Sequence, residues 1–317
     1  MPNPMPGDVH INVPLTNISI AYIQQQMKFI AGQVFPVVPV QKQSNRYFVY
    51  EKEDWFRLEA QERAPASESA GGGWRIDNTP NYYCKKYAIH KDIDDDTRAN
   101  ADQPIDMDRD ATLYVTQQLL LKREKIFVDN YFVTGIWTDV TGGTDFTKWS
   151  DLTNGDPITD VDTYRNNVGA LTGYEPNTLV LSPGVFATIK NHPSIIERVK
   201  YTQRATITTE ILAGLFELDR VLVPKGVINS AAEGLDDTDF VFTEGALLVY
   251  AAPNPSIMQP SGGYSFSWVG LLGAGSEGNR IKSIRIDEIE SDRIEGELAC
   301  DLKVVATDLG VFFSDPV

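Results

Sequence analysis

The 317-residue chain is poor in the residues that metal and thiol chemistry require, with three histidines and two cysteines. His10, His90 and His192 show no HExxH spacing, so the sequence offers no zinc-protease motif. Cys84 and Cys300 lie far apart and form no CxxC pair. A single disulfide between them stays open, but two cysteines in a chain of this length read as reduced, buried small residues. No Walker A sequence is present. No apolar run reaches the ~18 residues of a membrane span. The opening MPNPMPGDVH lacks the basic and apolar regions of a secretory signal, which points to synthesis in the cytosol. Positive charge is also scarce: 28 Lys and Arg stand against 44 Asp and Glu, a net charge of −16. Such a surface repels phosphate backbones and argues against a sequence-specific nucleic-acid binder. Many soluble enzymes are equally acidic, so the charge does not by itself choose a function.

Three weak motifs remain, and each lacks an essential part. GAGSEG (273–278) satisfies G-x-G-x-x-G, but the following NRIKSIRIDEI reads as strand, so no helix N-terminus would face a phosphate. DIDDDTRANADQ (92–103) places Asp92, Asp94 and Asp96 at calcium-loop positions one, three and five. Thr97 replaces the glycine at six and Gln103 the glutamate at twelve, so a solvated acidic turn is the better reading. Ser182 lies in LSPG, which lacks the first glycine of a nucleophile elbow. The sequence therefore predicts no catalytic residue, no metal site and no cofactor.

Hydrophobic residues make up 42% of the chain, enough for a real core in roughly two domains of about 150 residues each. Residues 1–16 read as an extended arm. Residues 17–33 carry a helical stripe of Ile20, Ile23, Met27 and Ile30. Prolines 36 and 39 then impose an extended backbone over 35–50. The strongest helix is 106–133, capped by Asp106, with Asp108 and Asp110 in its first turn and Val115, Leu119, Leu120, Ile126 and Phe127 on a broad apolar face. Residues 135–160 are polar and turn-rich and read as a boundary. Beyond it come strand 177–182, helices 183–191, 193–200 and 209–217, and strands near 219–223, 240–251 and 264–272. Residues 280–290 and 293–306 read as a long antiparallel pair with one face on the long helix, because Leu298, Cys300, Leu302 and Val304 recur with a period of two.

Residues 46–58 and 74–91 read as the two strands of a long hairpin, with the flexible tip RAPASESAGGG between them. An isolated two-stranded ribbon is marginal in water. This one carries Trp55, Phe56, Leu58 and Trp74, which need a covering surface. Either a neighbouring subunit supplies it, or the ribbon folds back on its own domain.

Several blocks, taken in order, resemble the major capsid proteins of tailed phages, which share the fold named after phage Hong Kong 97. FPVVPV with RYFVY is similar to the end of that family's N-terminal arm. The hairpin, including Arg63, the GGGW tip and YYCKKYAIHKDI, is similar to its extended loop. NADQPIDMDRDATLYVTQQLLLKREKIF resembles the entry to its spine helix, and HPSIIERVKYTQ through LFELDRVLV its axial domain near the capsomer centre. The resemblance implies an α+β fold: an N-terminal arm (1–45), an extended hairpin loop (46–91), a peripheral domain (92–160 plus 280–317) with spine helix 106–133, and an axial domain (161–279). It implies a non-enzymatic subunit that assembles with itself as hexamers and pentamers into an icosahedral virion head enclosing double-stranded DNA. Separate scaffolding, portal and decoration proteins are its expected partners, and Trp55, Phe56, Leu58, Arg63 and Trp74 its candidate interface residues. Lysines 52, 85 and 86 lie on the hairpin, but nothing pairs them with an acceptor, so no crosslink is expected. An encapsulin shell with the same fold is the alternative within the structural class. An α/β enzyme with a nucleotide site at GAGSEG is the alternative outside it.

Overall fold

Residues 178–181 and 246–249 are apolar without alternation, and both become strands buried on both faces. They lie side by side in one of two five-stranded sheets of the computed structural model, which describes residues 28–101, 106–200, 207–232, 234–255, 259–270, 275 and 277–317. The arm predicted over 1–16 and most of the 17–33 stripe lie outside the described residues.

The described chain begins at a short helix, α1 (Ala31–Val34), and then extends as the prolines require. Strand β1 (Val37–Val40) pairs in parallel with β13 (Gly263–Trp268). Pro39 is tolerated because β1 is an edge strand, where a missing N–H costs the sheet nothing. The end of the expected N-terminal arm is thus built into a sheet. The hairpin differs from the two continuous strands expected. Its arms pair only at β2 (Ser44–Arg46) with β5 (Asn81–Tyr83) and at β3 (Val49–Tyr50) with β4 (Ile76–Asp77). Between these, Lys52–Trp55 forms a helical turn, α2, with Glu53 and Asp54 in its first turn, where acidic groups are favoured. Residues 57–75 form no regular element, since their sequence has no apolar alternation to hold a ladder.

Strand β6 (Lys85–Asp94) leads into helix α3 (Asp95–Asn100), which Asp94 caps by accepting from the Thr97 N–H at 2.8 Å. The spine helix, α4, runs Met107–Tyr131, slightly shorter than 106–133, and spans about 38 Å at 1.5 Å per residue. Asp106 caps it as expected, accepting from the Arg109 N–H at 3.1 Å. The C-terminal pair is β14 (Asn279–Ile286) with β15 (Ser291–Val304), and β6 flanks the other edge of β15. The strand expected over 280–290 stops at Ile286, because Asp287–Ile289 make a 3-10 turn that reverses the chain at Glu290 (φ +46°). As expected, β15 packs on the spine helix. Gly296 is what lets the two approach, since a Cβ there would overlap Val115 and Leu119.

The opposite face of this sheet carries charge. Glu297 is 2% exposed and is hydrogen-bonded by Arg280, by Lys86 and by Lys282, the last at 2.9 Å. Burial pushes its carboxyl up, but the hydrogen bonds from Arg280, Lys86 and Lys282 outweigh that and hold it far below the usual range. A group depressed in this way adds stability that is complete above its ordinary value of 4.5 and is lost as pH falls towards its folded value. Glu297→Gln is therefore expected to cost about 3 kcal/mol at pH 7, by leaving three cations short of their partner. Urea titrations at several pH values should show that deficit shrinking below pH 4.5. A deficit that stays constant with pH would contradict this account.

The other five-stranded sheet has the order β7 (Thr138–Thr141), β16 (Gly310–Ser314), β12 (Ala246–Val249), β8 (Thr178–Leu181), β9 (Arg220–Leu222). One face packs on helices α5 (Pro157–Thr172), α6 (Pro183–Lys190), α7 (Pro193–Val199) and α8 (Thr209–Leu215), through Leu179, Leu181, Leu248 and Phe313. The other face offers Val180, Leu247 and Phe312 to the core around the spine helix, where Phe132 contacts Phe242 at 5.0 Å and Phe312 at 5.2 Å. Ser182 and His192 cap α6 and α7, each followed by proline at the first helical position. The run 240–251 is not one strand. It divides between β11 (Thr238–Phe240), which pairs with β10 (Val227–Asn229), and β12, and Gly245 turns between them at φ +135°. The strand of 264–272 ends at Trp268. Hydrogen bonding also shifts the expected partition: β7 and β16, assigned by sequence to the peripheral side, belong to this sheet. Their apolar alternation is too short to reveal a partner so distant in sequence.

Candidate subunit-interface surface

The ribbon leaves its side chains uncovered because little pairs with it beyond its base. Trp55 is 52% exposed, Phe56 58%, Leu58 89% and Trp74 60%, so the subunit does not bury them itself. Trp55 and Trp74 come together from opposite arms, with ring centroids 5.6 Å apart, and Tyr50 meets Trp55 edge-on at 6.1 Å. Arg75 stiffens this cluster. Its side chain and backbone N–H donate to Asp54 at 2.9–3.3 Å, and that hydrogen bonding holds the Asp54 carboxyl below its usual range.

At its base the ribbon is seated on its own body, with Tyr47 and Tyr82 stacked on Phe266 at 5.5 and 4.7 Å, and it touches that body again further out. Lys52 pairs with Asp308, and the Phe56 ring lies against Gly173, the left-handed residue that ends α5. Arg63 stands apart from the aromatic group, its Nε donating to the Ser67 carbonyl at 2.6 Å. The structure thus joins Trp55 with Trp74, sets Phe56 on α5, and leaves Leu58 and Arg63 on the outer loop. Three more exposed ribbon residues escaped the sequence reading: Phe48, Ile76 and Tyr83. The aromatic-rich RYFVY and NYY runs were the available signal.

The weak motifs find structural employment. Residue 279 begins a strand, so no helix follows GAGSEG, whose residues 273, 274 and 276 lie outside the described part. Asp92 is engaged by Arg293 at 2.7 and 2.8 Å, Asp94 caps α3, and Asp95 is held by Arg285 at 2.6 and 2.8 Å. Among the described residues no group of three or more His, Cys, Asp or Glu is arranged to hold a metal. Both cysteines are buried and free, and burial pushes the Cys84 thiol up to about 12 and that of Cys300 to about 11, far from reactive.

Residues 135–227, which span α5–α8 and their strands, match the family described as phage major capsid protein E. The chain is 25% identical over 291 residues to the major capsid protein of Burkholderia phage BcepMu, covering 86% of each. It is 26% identical over 320 residues to that of Pseudomonas phage JBD67, covering 97% of each. Along most of its length the chain is thus similar to phage major capsid proteins. Solved structures share the fold. A phage-related protein from Bordetella bronchiseptica RB50 superposes with a TM-score of 0.70 at 23% identity, over 92% of this chain and 93% of that one. The capsid protein of cyanophage P-SCSP1u gives 0.60 at 12% identity, over 97% and 93%. The SrpI encapsulin of Synechococcus elongatus gives 0.55 at 13% identity, over 96% and 92%, so the fold alone does not separate capsid from encapsulin. The α+β, Hong Kong 97-like architecture is that expected from sequence.

Proposed function

We propose that this chain is a major capsid protein that closes into an icosahedral head around double-stranded DNA, with the ribbon of each subunit lying over its neighbour. The exposed Trp55–Trp74 pair carries the reading: two large aromatic rings, already packed against each other, are a preformed anchor for another surface. Shell contacts of the obligate kind bury about 2,000 Å² or more. In this reading α4 with β6, β14 and β15 is the peripheral domain, and α5–α8 with their sheet the axial domain. Trp55, Phe56, Leu58, Arg63 and Trp74 are interface residues. A net charge of −16 favours a wall that holds DNA without adhering to it. Assembly in the cytoplasm of a bacterial host, with separate scaffolding, portal and decoration proteins, completes the picture.

Whole-length similarity to two phage capsid proteins favours this over a protein-filled compartment. Electron microscopy of the purified chain tests it. Large hollow shells of one protein, composed of hexamers and pentamers, are the expected result. Particles loaded with a cargo protein would favour the encapsulin reading, and a stable monomer would defeat both.

A further inference from the structure

The spine helix buries a carboxylate that shell building does not by itself require. Glu124 is 0% exposed. Its Oε1 accepts from the Ile30 N–H at 2.9 Å, and its Oε2 accepts from Ala31 at 2.9 Å and from Ile30 at 3.1 Å. These are the first N–H groups of α1, contributed from more than 90 residues away in sequence. Ile30, Ala31, Val34 and Phe35 are all buried around the contact, so this carboxylate sits where the N-terminal part of the chain is fastened to the spine.

The charged surroundings are sparse. Arg123, on the same helix, lies under Gly32 and is paired with Glu277 of the turn before β14 at 3.0 Å. Arg220 of β9 reaches the far end of α1, donating to the Gln33 carbonyl at 2.8 Å. Lys28 is half-buried just before α1, and the buried Cys300 thiol of β15 lies close enough to Arg123 to feel its charge. Arg123 is the cation that acts on Glu124.

We propose that Glu124 is a proton-operated latch that fastens residues 30–35 to the spine helix. Burial pushes the carboxyl up to about 7, against the opposing pull of the two backbone N–H groups and Arg123. A proton on Oε1 leaves Oε2 free to keep accepting from both Ile30 and Ala31, so the protonated latch stays closed. Opening returns the carboxyl to water and to its ordinary value of 4.5, and the proton leaves. The sign follows. The closed state binds the proton more tightly, so closure is favoured at low pH and weakens as pH rises through the window from 4.5 to about 7. Between pH 5 and 8 the opening equilibrium rises on the order of 70-fold.

Hydrogen exchange on the full chain, read by mass spectrometry and corrected for the intrinsic pH dependence of exchange, measures this directly. It does so whether or not the chain forms shells. The amides of residues 30–35 should open on the order of 70-fold more at pH 8 than at pH 5, while those of 246–249 change far less. In Glu124→Gln the rise at 30–35 should vanish. A flat profile in the unaltered chain, an equal rise at 246–249, or an unchanged slope in the variant would each overturn the latch. If Glu124→Gln does not fold, the comparison of 30–35 with 246–249 in the unaltered chain decides alone.

Discussion

A double substitution, Trp55→Ala with Trp74→Ala, is expected to yield a folded subunit that does not close into shells. Each ring is more than half exposed, and their main aromatic contacts are with each other and Tyr50. Removing them costs the isolated subunit little, about 1 kcal/mol for the lost ring contacts. At an interface the same rings act as anchors, and truncating an anchor costs about 2 kcal/mol or more. Two per contact give about 4 kcal/mol, roughly a thousandfold in the association constant of each contact. Because a shell repeats that contact at every subunit, the critical concentration for assembly should rise beyond practical reach. Thermal unfolding of unassembled subunits together with light scattering during assembly separates the two effects. Normal shells at ordinary concentration would remove the ribbon from the interface. A large fall in the melting midpoint of the unassembled subunit would show instead that the rings serve the fold.

The reverse pattern is expected of Phe35→Ala, which should abolish stability before it touches assembly. Phe35 is 0% exposed and stands where three segments meet: the root of the arm, the spine helix and the strand opening at Gly263. Its ring meets Phe127 edge-on at 5.2 Å, Tyr131 at 5.1 Å and Trp137 at 6.3 Å. Gly263 has no side chain because the Phe35 ring occupies that space, so a truncated ring leaves a void that nothing nearby can fill. Phenylalanine to alanine at such a site costs about 3–5 kcal/mol, a large part of a typical domain's stability. Equilibrium denaturation of the unassembled subunit should show it as a drop in midpoint with an unchanged slope. A loss below about 1 kcal/mol would mean the three segments repack without the ring.

The difference between these residues was partly legible in sequence. The spine helix was, since Asp106 and the apolar face around Val115 and Leu119 are local signals. So was the charged and apolar alternation of β15. Helices α6 and α7 announced themselves by Ser182-Pro183 and His192-Pro193. The ribbon's exposed tryptophans were legible as residues needing cover. Their contact across the hairpin was not, because it depends on the register of two arms that pair over only a few residues. Nor was the membership of β7 and β16 in the central sheet, a pairing between segments some 170 residues apart that neither segment encodes alone. Glu124 gave no signal either. In sequence it is one more acid in the run KREK of an acidic chain, and only the approach of α1 makes it singular.

Strand β16 lies between β7 and β12, parallel to the first and antiparallel to the second. A nascent chain leaving the ribosome therefore carries its central sheet in two unjoined parts until residues 310–314 emerge. Such non-local closure is slow to nucleate, and open strand edges are prone to mispairing while they wait. A chain cut before residue 310 would therefore lack the strand that joins β7 to the rest of the sheet.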